Sequence, residues 1–430
     1  MNCPYSEKNC PPDLAANVES CPGCGQFLRN CPRCAAPNRA FANFCRSCGA
    51  TLPAGAGDWL AYKGSARRLG VNSGCPEPDR AVAVQFSDVL KLRLGDSCRA
   101  LLGYDRHLIA VSQSGAVEIC DARRPSSVRR FQAQGPISAE PCIDRGILYL
   151  GSHGQLAAYS LGAAMLGAPR TRPLWQVPLS GPPVQALTVI GSRLYLTVAV
   201  DGRREVQVID RVDAPRPAAR SIQTAARVSW IAGDTAAGKA VFLSEDNGHG
   251  VHLRTIGEDH DVAHAVSLHA FAEHPIAYLG GKVFGIFGDA RRLYRIDAAS
   301  GAVDEPLEDD TQFFSLTHDR DFEWDRDGVR IDTRGVLFSR IGVRDSFSHV
   351  DRAARCSPVI MQGRAAAVGM EDGRVLLYDL LHPPKHEVWR PGSDGTVPIT
   401  ALASFGPYIA AGNAAGVVEV RELRLQEGTP

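Results

Sequence analysis

Lysine is nearly missing from this chain: only six of its 47 basic residues are Lys and the other 41 are Arg. No cluster of these arginines marks a phosphate site, and the imbalance reads as codon bias. Acidic residues also number 47, so the formal net charge is zero. Composition therefore gives no electrostatic reason to expect nucleic acid or an anionic membrane as partner. No apolar run approaches the roughly 18 residues that a spanning helix needs, so membrane insertion is not expected. The opening residues MNCPYSEKNC contain no apolar run, so a secretory leader is not expected either. The expected compartment is the cytoplasm, where thiols stay reduced. A P-loop, a Gly-x-Ser-x-Gly elbow and a His-Glu-x-x-His motif are all lacking. That weakens the case for an enzyme, although a triad assembled from distant residues stays open. The remaining composition, 44% hydrophobic and 22% charged over 430 residues, is that of a soluble globular protein too long for one small domain.

Cysteine is unevenly placed. Eight of 13 cysteines fall within residues 3 to 48: Cys3, Cys10, Cys21, Cys24, Cys31, Cys34, Cys45 and Cys48. An internal repeat shows in the spacing, Cys10-x10-Cys21-x2-Cys24-Gly25 against Cys34-x10-Cys45-x2-Cys48-Gly49. Four thiolates suit a tetrahedral Zn²⁺, and a Cys-x-x-Cys turn presents two sulfurs from one tight loop. Pro22 and Pro32 preset such turns, and Gly25 and Gly49 let backbone pass close behind the sulfur. So few large apolar residues surround the cysteines that metal would supply the folding energy. Two structural zinc sites are expected: Cys3, Cys10, Cys21 and Cys24, then Cys31, Cys34, Cys45 and Cys48. The first departs from the pattern in its wider leading pair, Cys3-x6-Cys10. Haem attachment would need a His directly after a Cys-x-x-Cys, and a thioredoxin-like pair would need a βαβ setting; neither is present.

The residues CPGCG, CPRC and FANFCRSCG resemble the double zinc ribbon modules of bacterial and eukaryotic regulatory proteins. That resemblance covers about the first 50 residues and implies an interaction or spacer module, not a catalyst. Residues 1 to 50 carry five basic and three acidic side chains. With eight thiolates and two Zn²⁺ the module would carry about −2, which is poor for phosphate contact and favours protein partners over nucleic acid.

Residues 51 to 80 are rich in Gly, Ala, Ser and Pro and read as a linker. From residue 81 to 430 short β-rich runs recur between Gly, Asp and Pro turns, as in PCIDRGILYLGSHGQLAAYSL. The turns centre near 106, 145, 191, 237, 281, 363 and 406, with a degenerate unit near 313 to 341. Their mean spacing of about 43 residues is the period of a four-stranded propeller blade. The expected fold is all-β: an N-terminal double zinc ribbon followed by a repeat-built β-propeller of about eight, alternatively seven, four-stranded blades. AVAVQF at 81 to 86 is expected to complete the last blade and close the ring.

GILYLGSHGQLAAY, RVLLYDL, LYRIDAASG, Trp175 and Trp389 resemble quinoprotein-like and WD-like propellers. Quinoprotein enzymes carry an adjacent Cys-Cys pair and an export signal, and this chain has neither, so the resemblance implies fold without the cofactor. The two tryptophans are expected to pack between blades. Six histidines lie between 249 and 274, but HAVSLHAF alternates like a strand and throws His264 and His269 to opposite faces. DFEWDRDG at 321 to 328 places Arg334 where a calcium loop needs Glu, and reads as a solvated acidic turn. Cys75, Cys98, Cys120, Cys142 and Cys356 are expected to be inert thiols. The function expected from these features is a non-enzymatic scaffold for protein partners in a bacterial cytoplasmic regulatory or signalling assembly. The alternative is an enzyme or small-ligand sensor using a central channel.

Overall fold

Runs such as Ile147–Ser152 and Gln155–Ser160 are apolar, short and separated by turn residues, and they fold as hairpins. Arg145 and Gly146 both take positive φ, as do Asp201 and Gly202. Two consecutive left-handed residues make the tight hairpin turn whose twist matches that of the strands it joins. The computed structural model describes residues 28–31, 33–39, 45–50, 52, 71–72, 84–304, 315–317, 336–338 and 359–425. Within these spans there are breaks at 105, 166–170, 211, 213–215, 235–236, 247–249, 258–260, 269–275, 280, 288–291, 362–364, 380–385 and 393–395.

Near the start, β1 (Leu28–Asn30) pairs antiparallel with β2 (Pro37–Arg39). Further on, β3 (Val71–Asn72) lies inside the stretch read as a linker, yet runs parallel to Val359–Met361. A long strand, β4 (Val84–Arg93), precedes the first complete sheet. That sheet is built from β5 (Cys98–Tyr104), β6 (His107–Ser112), β7 (Ala116–Asp121) and β8 (Arg124–Gln132) in sequence order. A second sheet follows from Cys142–Asp144 to Trp175–Pro178, and a third from Thr188–Ile190 to Ala218–Ala225. The fourth runs from Arg227–Val228 to Asp261–Val266, and the fifth from Ala277–Leu279 to Val303–Asp304. The last two are built on Val359–Met361 to His386–Trp389 and on Ile399–Phe405 to Val417–Leu425. All seven turn positions read from the sequence fall between paired strands, for example Tyr104↔His107, Asp144↔Ile147 and Phe405↔Tyr408.

The expected propeller of about eight, alternatively seven, four-stranded blades is corrected by this arrangement. Among the described residues the chain forms separate small antiparallel sheets with open edges, and no sheet closes or curls. Five sheets have four strands, two have five, and two have only two. The degenerate unit contributes a two-stranded pairing of Ser315–Thr317 with Val336–Phe338. In the fourth sheet both Arg227–Val228 and Ala232–Asp234 pair with Lys239–Glu245, so this unit is not a copy of its neighbours. Reading the chain as a repeat protein is corrected on the same ground. Turn spacing is a local signal that specifies where hairpins reverse; it does not fix how many strands pair in each unit, as the two short strands on Lys239–Glu245 show, nor whether the set closes.

Consecutive sheets share buried cores. Leu102, Ile109 and Ile119 of the first sheet pack with Leu148, Leu150 and Tyr159 of the second. Tyr149 and Leu156 of the second pack with Leu194 and Leu196 of the third. The first and last sheets also meet, through Leu101, Leu108, Phe405 and Ile409. Their approach is close: a Cβ on Gly103 would lie 2.3 Å from Phe405 Cβ. Strand β4 pairs with Val417–Leu425 and supplies the outer strand of the last sheet, somewhat beyond the 81 to 86 stretch expected to do so. Glu419 ties this seam, accepting from Trp389 Nε1 at 3.0 Å and Gly392 N at 3.0 Å, with Lys91 Nζ at 2.8 Å. Burial alone would raise the Glu419 pKa, but these three partners hold it below the usual glutamate range.

Candidate metal centre

Strand β1 runs into Cys31 and Cys34, and β2 returns the chain toward Cys45 and Cys48. The two Cys-x-x-Cys turns have the same backbone construction. Cys31 N donates to Ala36 O at 3.0 Å and Ala35 N to Cys31 O at 2.8 Å. Likewise Cys45 N donates to Ala50 O at 2.7 Å and Gly49 N to Cys45 O at 2.9 Å. In each turn the amide two residues on points at the leading sulfur: Arg33 N to Cys31 Sγ and Ser47 N to Cys45 Sγ, both at 3.4 Å. The residue after each trailing cysteine is left-handed, Ala35 at φ 55° and Gly49 at φ 68°. Glycine takes that conformation without cost, whereas Ala35 carries a Cβ into it.

The four Sγ atoms lie within 4.8 Å of one another. Cys31 and Cys48 are 3.7 Å apart, and Cys34 and Cys45 3.5 Å. A tetrahedral ion with bonds of about 2.3 Å spaces its sulfurs about 3.8 Å apart, so the set fits one such ion. A disulfide would need about 2.05 Å, so the pairs are thiols facing a common centre. Cys31 and Cys45 are buried, each 2% exposed, while Cys34 and Cys48 face solvent. Without a cation the thiols compete for the same protons. Burial opposes ionisation of Cys45, but amides of Cys48 and Ser47, with Cys34 and Asn38, pull it down to about 6. The amide of Ala36 favours the Cys34 thiolate, but sharing with Cys48, burial, Cys45 and Cys31 push it up to about 12. A dication removes this competition, since it lets all four ionise together.

One supporting residue escaped the sequence reading. Asn38 is buried at 1% and bridges the turns: its Nδ2 donates to Ala36 O at 2.7 Å, and its Oδ1 accepts from Arg46 N at 2.8 Å. Its only signal in the sequence was its place midway between two Cys pairs, where a polar side chain has the backbone of both within reach.

Cys31, Cys34, Cys45 and Cys48 are thus brought together as expected, and this is the metal-capable cluster among the described residues. Cys3, Cys10, Cys21 and Cys24 lie outside the described residues. So do His249, His260, His269, His274, Cys75, Cys356 and residues 321 to 328. His252 and His264 do not converge: Leu253 pairs with His264 and His252 with Ala265, which puts the two imidazoles on opposite faces. Trp175 and Trp389 are buried and hydrogen-bonded, to Val212 O and Glu419, as packing residues. Cys98, Cys120 and Cys142 are buried thiols, and burial, with Asp121 and Glu118 nearby, pushes Cys120 up to about 12. No helix among the described residues is long and apolar enough to cross a membrane.

No protein-family model matches this chain. No curated protein matches it either. Among solved structures it is similar to BamB from Moraxella catarrhalis, at 16% identity and a TM-score of 0.54, covering 80% of this chain and 100% of that one. It is similar to the quinohemoprotein alcohol dehydrogenase of Comamonas testosteroni, at 9% identity and a TM-score of 0.58, covering 87% and 82%. The computationally designed protein Ika8 is also similar, at 14% identity and a TM-score of 0.54, covering 78% and 99%. These are distant likenesses to propeller-like folds, and at such identities they bear on fold alone. One is an enzyme and another a designed protein, so they do not divide the functional readings.

Proposed function

We propose that this chain is a non-enzymatic scaffold for protein partners in the cytoplasm, working in a bacterial regulatory or signalling assembly. Residues 1–50 form two zinc ribbons in this reading, residues 51–80 a linker, and the remainder to 430 a body of small antiparallel sheets. Cys31, Cys34, Cys45 and Cys48 hold one structural Zn²⁺, and Cys3, Cys10, Cys21 and Cys24 hold another. The observation that carries the reading is that four cysteine sulfurs converge within 4.8 Å of one another, a set that suits a four-coordinate ion. Catalytic zinc keeps a position open for water or substrate, whereas structural zinc is closed by four protein ligands. A closed centre holds a surface in shape, which suits docking.

The test compares the full chain with one lacking residues 1–50, each used to capture partners from its native host. Loss of the captured complex, with the melting temperature of the sheet body retained, is the expected result. If neither chain retains a protein partner, the scaffold reading falls.

A further inference from the structure

The cysteine cluster is asymmetric in a way that metal binding does not require. Each turn contributes one buried cysteine, Cys31 or Cys45, and one exposed cysteine, Cys34 or Cys48. Two close sulfur contacts run between the turns, each pairing the exposed cysteine of one with the buried cysteine of the other: Cys34 with Cys45 at 3.5 Å, and Cys48 with Cys31 at 3.7 Å. Within each turn, the buried sulfur instead accepts an amide from Arg33 or Ser47.

We propose that this cluster is an oxidation site for hydrogen peroxide, which converts it to two disulfides between the turns, Cys34–Cys45 and Cys31–Cys48, and expels the ion. Access selects the first target, because reactive cysteines must be reachable, and Cys34 and Cys48 are the exposed pair. The exposed thiolate attacks one peroxide oxygen. An S–O bond forms, the O–O bond breaks, and the other oxygen leaves as hydroxide, giving a sulfenic acid. The buried thiolate of the facing turn then attacks that sulfur. The S–S bond forms as the S–O bond breaks, and a second hydroxide leaves. Two thiolates lose two electrons and one peroxide gains them, so two peroxides consume the four ligands. Each sulfur pair must close from about 3.6 Å to about 2.05 Å, a movement shared by two side chains. The inference rests on the four cysteines holding an ion and not on the scaffold reading.

The experiment uses the metal-loaded full chain, titrated with hydrogen peroxide while a chromogenic chelator reports released ion, then alkylated, digested with trypsin and mapped by mass spectrometry. Arg33 and Arg46 lie inside the two Cys-x-x-Cys pairs, so trypsin places all four cysteines on different peptides and every connectivity is distinguishable. The expected result is release of the cluster's ion with two peroxides consumed per ion, and cross-linked peptides joining Cys34 to Cys45 and Cys31 to Cys48. Dominant Cys31–Cys34 and Cys45–Cys48 linkages would overturn the proposal, as would bonds to Cys21 or Cys24, or sulfinic acids without disulfide. So would release of the ion with all four thiols still reduced. A Cys34→Ser chain gives a second reading: the Cys31–Cys48 bond should still form, and its loss counts against two independent pairs. Metal content before oxidation reports separately on the site itself, so an empty cluster is not confused with an inert one.

Discussion

Around the cysteine cluster the buried apolar set among the described residues is four, Cys31, Ala36, Cys45 and Leu52, and two of these belong to the metal-capable cluster itself. Where the last sheets meet the first, the buried set is twenty-six, from Leu90 to Leu423. Among the described residues, one region buries almost no apolar material and the other buries much. A buried aliphatic side chain contributes about 1.5–3 kcal/mol, so Leu52 and Ala36 give only a few kcal/mol between them. A structural zinc site contributes about 10–16 kcal/mol at neutral pH. An ion held by the four cysteines would supply the folding energy where few apolar residues are buried, whereas packed sheets supply it where many are.

Metal removal should break the comparison most sharply. Chelation, or Cys45→Ser, is expected to abolish amide-exchange protection over 28–50, a loss on the scale of about 10 kcal/mol, while the melting of the sheet body stays put. Simultaneous melting of both regions would show that the body depends on the ion. In the body, Gly103→Ala should lower stability by about 1–3 kcal/mol through overpacking, because its Cβ would strike Phe405; chemical denaturation measures it. Asn38→Ala is expected to weaken metal binding about 10–100-fold by freeing the two turns from one another, read by competition with a chelator of known affinity.

The seam at Glu419 predicts a pH effect confined to the body. Its folded pKa is depressed by Lys91, Trp389 and Gly392 against the opposing effect of burial. Its contribution is therefore complete above the ordinary glutamate value and is lost as pH falls through the lowered one. Wild-type melting should drop over that acid window, and Glu419→Gln should flatten the drop. The smallest effect is at Ala35. Ala35→Gly relieves a left-handed alanine, and is expected to stabilise the metal-bound cluster by about 0.5–1 kcal/mol. A loss of stability there would mean that the turn gains more from the alanine methyl than it spends on φ.

Much of this was legible in the residues. The spacing of Cys31, Cys34, Cys45 and Cys48 identified the cluster, because two sulfurs separated by two residues on a tight turn have few other uses. The turn residues near 145 and 406 located hairpins, because strand reversal is decided by a handful of neighbouring dihedrals. Asn38 was missed because a lone polar residue has no periodic signature. The parallel pairing of β3 with Val359–Met361 was missed because almost three hundred residues separate the partners.

Local chemistry, then, is what the amino-acid order settled by itself: that Cys31, Cys34, Cys45 and Cys48 converge, where the chain reverses, and that it folds as β-structure. Tertiary structure alone decided how many strands each sheet holds, that no sheet closes on itself among the described residues, and that β3 joins Val359–Met361. It also decided that the sulfur of each exposed cysteine lies against that of a buried one in the other turn. The division has a physical cause. Turn formation and metal ligation by a Cys-x-x-Cys pair are governed by residues within a few positions of one another, whereas strand count and sulfur pairing depend on contacts whose entropy cost and reward are settled only when distant segments meet.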